Sequence, residues 1–233
     1  MLPLLAVLVL ILLALLAYWH LIIAEGAYLG PRVVAFLYDV VARRYNRMKH
    51  FNPEDDAWFF GDPLTAWLSG VAQPRVLDVA TGTGRVPLTL LANAGFTGKL
   101  LAVDRARRML HQAAQALSSL TGRALISRQD GMRLAFGDDT FDAVTCLEAL
   151  EFMPDPQRAL AECVRVLKPG GVLLVTRRTG PWAGWMPGRT PSREKFKAQL
   201  EALEVWDVRV QMWQVDYDLV WGVKIAQWES GEQ

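Results

Sequence analysis

From residue 75 onward the chain alternates between two patterns, and that alternation limits its possible folds more than any other feature. "RVLDVA" reads as a strand and "RVPLTLLANAG" as a helix ending at Gly95; "KLLAVD" is a second strand and "ARRMLHQAAQALSSLTG" a helix stopped by Gly122. "ALISRQD" is a third strand, "FDAVTCLEA" contains a fourth, "PQRALAECVRVLKPGG" is a helix with a Gly-Gly stop, and "VLLVTRR" is a fifth strand. Continuously apolar strand cores are buried on both faces, as in a parallel sheet covered by crossover helices. The last stretch, "VWDVRVQMWQVDYDLVWGVKIAQ", holds two β-rich runs with little between them, which predicts a terminal antiparallel hairpin. Such a sheet binds ligands beyond the carboxyl ends of its strands, where the strand order reverses.

The first strand ends in "ATGTG", which has glycines at 82 and 84. Both permit positive φ and let a ligand approach the backbone with no Cβ in the way. A dinucleotide fingerprint wants a third small residue to pack helix on strand, and Pro87 stands at that position. No Gly-Lys-Ser/Thr follows, which excludes a Walker phosphate loop. Asp104 ends the second strand, twenty residues after Gly84, where it can accept hydrogen bonds from both ribose hydroxyls of an adenosine. That suits NAD and other adenosyl ligands alike. Asp78, in the strand entering the turn, would repel a diphosphate and favour a cationic or ammonium-bearing ligand. Asp130 follows the third strand, placed to accept from an adenine amino group. Three carboxylates without a phosphate-binding Lys or Arg favour an uncharged or positive adenosyl compound.

Four segments in order, "VLDVATGTG", "LLAVD", "QDGMRLAFGDDTFDAVTC" and "RALAECVRVLKPGGVLLV", resemble the successive motifs of the class I S-adenosylmethionine-dependent methyltransferases. The resemblance covers roughly residues 72 to 178 and is closest to the small-molecule branch that includes the quinone C-methyltransferases. It implies an α/β fold, a Rossmann-like seven-stranded and mostly parallel sheet with a terminal antiparallel hairpin, and S-adenosyl-L-methionine as cofactor. Carried onto this chain, it implies that Asp78, Gly82 and Gly84, with Ala80 and Thr81 of the same turn, shape the pocket for the methionine part. Asp104 would bind the ribose, Asp130, Gly131 and Met132 would flank the adenine, and Arg105 and Leu147 would also belong to the cofactor site.

The family has no universal catalytic residue, because the sulfonium methyl is already activated and alignment supplies much of the rate. Glu148 and Glu151 are candidates for a base or an acceptor-orienting group. Quinone-methylating members carry a Gly-Leu-Arg-Asn-like run here, where this chain has "LEALEF". In "RTGPWAGWMPGRTPSREKF", Trp182, Trp185 and Met186 predict a loop closing an apolar acceptor pocket, and Arg189 is a candidate partner for an acidic acceptor group. Two other readings are an NAD(P)-dependent oxidoreductase, disfavoured by Pro87 and Asp78, and a non-catalytic membrane scaffold, disfavoured by the intact Gly82, Gly84 and Asp104. Tyr45 and Lys49 match the Tyr-x-x-x-Lys pair of short-chain dehydrogenases, but they precede the glycine turn, whereas in that family the pair lies far downstream of it.

From Leu2 to Ala24 the chain reads "LPLLAVLVLILLALLAYWHLIIA". About 20 residues of helix cross a bilayer core, so this run is long enough for a single-pass anchor. A signal peptide would have a basic start and a shorter apolar run, although "AEG" at 24–26 offers a weak cleavage pattern. Tyr18 and Trp19 suit an interfacial belt, and Arg32, Arg43, Arg44, Arg47 and Lys49 follow the run, which places the remainder of the chain on the cytoplasmic side. Val33, Phe36, Leu37, Val40, Val41 and Tyr45 recur at helical spacing, as in a lid helix or an amphipathic helix at the membrane interface. The expected organisation is an anchor over 1–25, amphipathic linker and lid helices over 26–70, and a methyltransferase domain over 71–233. Expected partners are the bilayer and a small lipophilic acceptor (lipid, quinone, or apolar thiol or hydroxyl). A net charge of +1 with no Lys/Arg-dense run argues against nucleic acid. Cys146 and Cys163 and the three histidines show no metal-ligand spacing, and the cysteines are expected to be free and buried.

Overall fold

The computed structural model describes residues 2–120 and 122–225, so the last eight residues of the expected 71–233 domain lie outside it. The apolar run forms α1 (Leu2–Tyr18), which passes into a π-helical turn over Trp19–Ile23. The stretch Pro3–Ile23 is long and apolar enough to cross a membrane, and its window is not buried by the rest of the protein. Four short helices follow: α2 (Pro31–Val41), α3 (Tyr45–Lys49), α4 (Pro53–Asp56) and α5 (Asp62–Leu68). The periodicity over 31–49 is therefore carried by two helices, split by a 3-10 turn at Ala42–Arg44.

The sheet contains β1 (Arg75–Val79), β2 (Lys99–Asp104), β3 (Ala124–Arg128), β4 (Phe141–Cys146), β5 (Leu167–Arg178), β6 (Val205–Gln214) and β7 (Tyr217–Lys224). Its order is β3-β2-β1-β4-β5-β7-β6. The first five strands are parallel, and β7 runs antiparallel to both of its neighbours. The expected seven-stranded, mostly parallel sheet with a terminal hairpin is what forms. The crossovers carry α6 (Arg85–Ala92), α7 (Arg107–Ala116), α8 (Pro156–Val166) and α9 (Arg193–Glu201).

Two local features differ from the sequence expectation. The "KPGG" run belongs to β5 rather than to the end of α8: Pro169 cannot continue a helix, and Leu167 already pairs with Phe141 of β4. The stretch after Arg189, read as loop, holds α9, whose first turn is capped by the Ser192 hydroxyl accepting from the Lys195 N–H.

Alternate residues along each strand face opposite layers. Leu77, Val79 and Val144 pack with Leu160 and Cys163 of α8 on one side. Val76, Leu100 and Leu174 pack with Phe60, Leu64 and Leu90 on the other. Each such side chain contributes about 1.5–3 kcal/mol relative to exposure. Cys146 and Cys163 are free and buried in the first layer. The reversal of strand order falls between β1 and β4, and their carboxyl ends open a cleft that α2 and α3 cover.

Candidate cofactor and acceptor site

After β1 the chain turns through three residues with positive φ, Ala80 (57°), Gly82 (55°) and Gly84 (90°). A Cβ at Gly84 would stand 3.3 Å from that of Ala113 in α7, so backbone conformation and space both require glycine there. Glu148, just beyond β4, also has positive φ (51°). Strain at the ends of the two strands that flank the switch point is held by the surrounding fold and brings both turns against the same cleft.

Asp104 accepts from one amide of this turn and from one just beyond its own strand. The Gly82 N–H donates to Oδ2 at 2.8 Å and the Ala106 N–H to Oδ1 at 2.7 Å. Burial pushes this carboxyl up against the pull of those backbone donors. Each oxygen keeps lone-pair capacity for a ribose hydroxyl. Asp78 lies deeper. Its Oδ1 accepts from the Thr145 hydroxyl at 2.6 Å, whereas its Oδ2 and the nearby Thr81 Oγ1 are buried without a hydrogen-bond partner. Burial raises the Asp78 carboxyl to about 7, with the nearby Thr145 and Thr81 hydroxyls opposing. Asp78 and Thr81 border a hollow of about 380 Å³, its opening included, that Tyr45, Leu147 and Glu148 share. Two orphaned oxygens beneath a glycine turn fit an ammonium group, which would supply the missing donors.

The hollow runs into a larger cavity of about 780 Å³, its mouth included, which reaches Arg105, Gln129, Asp130 and Gly131. Asp130 is paired with Arg105 and accepts from the Met132 N–H at 3.1 Å. Met132 itself packs against the core, and Met153 lines the cavity instead. Val34, Ala35, Tyr38 and Tyr45 from α2 and α3 face Leu147 and Phe152 across this space. The Tyr38 hydroxyl donates to Glu25 Oε2 at 2.7 Å, which links the cavity wall to the chain leaving the apolar helix.

The two glutamate candidates sit in different surroundings. Glu148 accepts from Arg85 Nη1 at 2.8 Å and from Lys49 Nζ at 2.7 Å, so a cation engages each carboxylate oxygen. Arg85 also holds Asp56 through Nε (2.7 Å) and Nη2 (2.5 Å), and stacks on Phe51 and Trp213. This network straps α3 and α4 over the glycine turn. Glu151 is buried on the far side of the turn Leu150–Phe152, where it accepts from the Tyr217 hydroxyl at 2.6 Å. Burial raises its carboxyl to about 7, against that hydrogen bond.

The four residues of the loop after β5 do not reach the cofactor cleft. Trp182 and Trp185 are exposed, and Met186 is fully buried against Ala27 and Phe152. The Arg189 guanidinium donates to the carbonyls of Ala27, Glu151 and Met153 and stacks on Tyr28. It is a clamp between the base of the apolar helix and the turn after β4. Trp19 Nε1–H donates to the Trp185 carbonyl (2.9 Å) and the Tyr28 hydroxyl to that of Pro187 (2.8 Å) on the same junction. Tyr45 and Lys49, set aside as a dehydrogenase pair, do lie at the site: Tyr45 lines both cavities, and Lys49 serves Glu148. Tyr38, Phe152, Met153 and Gln129 were not singled out from sequence. Only the helical spacing that puts Tyr38 one turn from Val34 hints at the first.

The strand order, the strained glycine turn, the acid at the tip of β2 and the orphaned acid beneath the turn define a class I methyltransferase domain. A family model described as a methyltransferase domain matches residues 77–175. The chain is 32% identical over 196 residues to the demethylmenaquinone methyltransferase of Parafrankia sp. (strain EAN1pec), covering 74% of this chain and 72% of that one. It is 34% identical over 147 residues to the ubiquinone/menaquinone biosynthesis C-methyltransferase UbiE of Ruegeria sp. (strain TM1040), covering 60% of this chain and 56% of that one. The chain thus spans about half to three fifths of the length of several curated relatives it matches. The crystal structure of the cyclase SpnF shares the fold, with a TM-score of 0.66 and 21% identity over 84% of this chain and 96% of that one. The chain belongs to the S-adenosylmethionine-dependent methyltransferase family, with quinone C-methyltransferases among its relatives.

Proposed function

We propose that the protein binds S-adenosyl-L-methionine in this cleft and transfers its methyl group to a small lipophilic acceptor drawn from a membrane. One observation carries the cofactor half: the buried Asp78 Oδ2 and Thr81 Oγ1, both without donors, lie beneath the glycine turn. In this reading Asp78 accepts from the cofactor's ammonium, Asp104 from its ribose hydroxyls and Asp130 from its adenine amino group. Bound there, the cofactor supplies an activated methyl on a sulfonium. The chain's own residues do the aligning. Tyr38, Tyr45, Phe152 and Val34 exclude water and hold an apolar acceptor, and such positioning is worth about 7–11 kcal/mol. Glu148, neutralised by Arg85 and Lys49, braces the lid rather than taking a proton.

The acceptor half rests on the relatives' substrates and on the placement of the apolar helix. Residues 1–25 would anchor the chain, and 26–70 would form the lid. Arg32, Arg43, Arg44 and Arg47 are exposed on the segment that follows, suited to anionic headgroups on the cytoplasmic side. Trp182 and Trp185 are exposed on the loop hydrogen-bonded to Trp19, and both would suit an interfacial aromatic belt. Calorimetry with S-adenosyl-L-methionine and with NADH tests the cofactor: saturable binding of the former is expected, and binding of NADH alone would overturn the reading. Full-length protein should stay in the membrane pellet after carbonate washing. Complete release would remove the anchor.

A further inference from the structure

The helix that covers the cofactor cleft has a second face. The inner side of α2 walls the cleft through Val34, Ala35 and Tyr38, and Tyr45 of α3 continues that wall. Ala35, Tyr38 and Tyr45 also pack around Ala42 against Ala106 and Met109 at the start of α7. The outer side carries a different set of residues. Arg32, Phe36, Val40, Arg43 and Arg47 follow one another at spacings of four, four, three and four residues, which keeps them in one stripe past the 3-10 turn. All five are exposed, with 63% of Phe36 and 58% of Val40 open to solvent.

Nothing in the fold answers the charge on this stripe. Among the described residues, no ion pair involves Arg32, Arg43, Arg44 or Arg47. Asp39 is the sole acid between Pro31 and Lys49, and its Oδ1 already accepts from the Arg108 N–H in the first turn of α7, at 2.6 Å. Exposed cations interleaved with exposed apolar side chains fit an anionic bilayer surface. Guanidinium heads reach the lipid phosphates, while Phe36 and Val40 enter the boundary of the acyl chains. A second copy of the chain fits poorly, because a two-fold contact through this stripe would set arginines against arginines.

The chain also delivers α2 to the right place. The Ala24 and Gly26 N–H groups donate to the Trp19 and His20 carbonyls, and Glu25, Gly26 and Gly30 have positive φ, so the chain turns tightly at the end of the apolar span. Tyr28 stacks on Trp19 with ring centroids 5.1 Å apart, and α2 begins three residues later.

We propose that the outer stripe of α2 and α3 is a docking surface for an anionic bilayer, and that docking holds the roof closed over the cofactor cleft. One short segment then contacts lipid on one side and the cleft on the other, so lipid and cofactor each favour the ordered roof and strengthen one another's binding. The link to the cleft rests on the proposal that it holds S-adenosyl-L-methionine; the docking surface does not.

Full-length protein would be compared in nanodiscs of phosphatidylcholine alone and with phosphatidylglycerol added. Two quantities are read: amide hydrogen exchange over residues 31–49, and calorimetric affinity for S-adenosyl-L-homocysteine. That probe has no net charge near neutral pH, so an anionic surface does not concentrate it. Phosphatidylglycerol should slow exchange across 31–49 about tenfold and tighten binding about fivefold or more. Equal exchange in the two discs overturns the docking surface. Slower exchange with equal affinity overturns the link to the cleft. Slower exchange with no binding in either disc supports the surface and removes the cofactor reading instead. Arg43→Gln combined with Arg47→Gln, both at exposed positions, should abolish most of both differences and leave affinity in phosphatidylcholine unchanged. Differences that persist in this variant overturn the assignment to the stripe. Protection that follows protein concentration rather than lipid would mark a contact between copies and overturn the bilayer as partner.

Discussion

Replacing Asp78 by Asn probes the cofactor site at its least comfortable charge. Burial lifts the Asp78 carboxyl from 3.8 to about 7. A carboxyl whose folded value lies above its unfolded one disfavours the charged form in the fold, so stability falls as pH rises between the two values. That interval, at about 1.36 kcal/mol per pH unit, puts the cost of ionised Asp78 on the order of 4 kcal/mol above pH 7, vanishing near pH 4. Asn keeps an acceptor for the Thr145 hydroxyl and offers an amide donor to the orphaned Thr81 Oγ1, without charge. Asp78→Asn should therefore unfold at a higher temperature than the wild type at pH 8, and the advantage should shrink as pH falls. It should also lose a charge-assisted hydrogen bond to the cofactor's ammonium. At about 1.5–3 kcal/mol, that is about 10- to 150-fold in affinity for S-adenosyl-L-methionine. Wild-type affinity should strengthen with pH up to about 7, as Asp78 ionises, and the variant's should be flat across that range. Thermal denaturation and calorimetry at matched pH values from 5 to 8 measure both effects. A variant no more stable at pH 8, binding the cofactor as tightly and with the same pH profile, would refute the reasoning.

Three further outcomes are expected. Arg85→Gln strands Asp56 as a buried carboxylate and leaves Glu148 with Lys49 alone, so urea unfolding should show a loss of about 3–5 kcal/mol; a loss below about 1 kcal/mol would mean the strap over the glycine turn is dispensable. Tyr217→Phe removes the donor to Glu151 Oε1 and should destabilise by about 1–3 kcal/mol. Because that hydrogen bond favours the ionised form of a carboxyl titrating near 7, the loss should be larger at pH 8 than at pH 6, and equal losses would remove the ionised Glu151 from the account. Gly84→Ala forces a Cβ into a φ of 90° and against Ala113, so about 1–3 kcal/mol of stability should disappear together with cofactor affinity, measured on the same samples.

The elements legible in the sequence are those whose cause is local. Apolar strand cores, glycine stops and the paired β-rich runs at the end announce the sheet, because side-chain alternation and helix termination depend on neighbours in the chain. Gly82, Gly84 and Asp104 could be picked out for the same reason: a positive-φ turn and an acid at a strand tip are properties of a few consecutive residues. Asp78 was legible as an acid entering the turn, but the lack of any donor to its Oδ2 was not. Nor was the fate of Glu148, whose partner Lys49 lies 99 residues away, or of Arg189, which reads as a free cation and instead closes on carbonyls from Ala27 and from the turn after β4. Tertiary structure also inserted β7 between β5 and β6, and put Tyr38 and Tyr45 opposite Phe152. Which polar groups end up paired, and which are left buried and unpaired as at Asp78, depends on segments brought together across the fold. Their burial and their partners come from the same packing event, so no reading along the chain separates them.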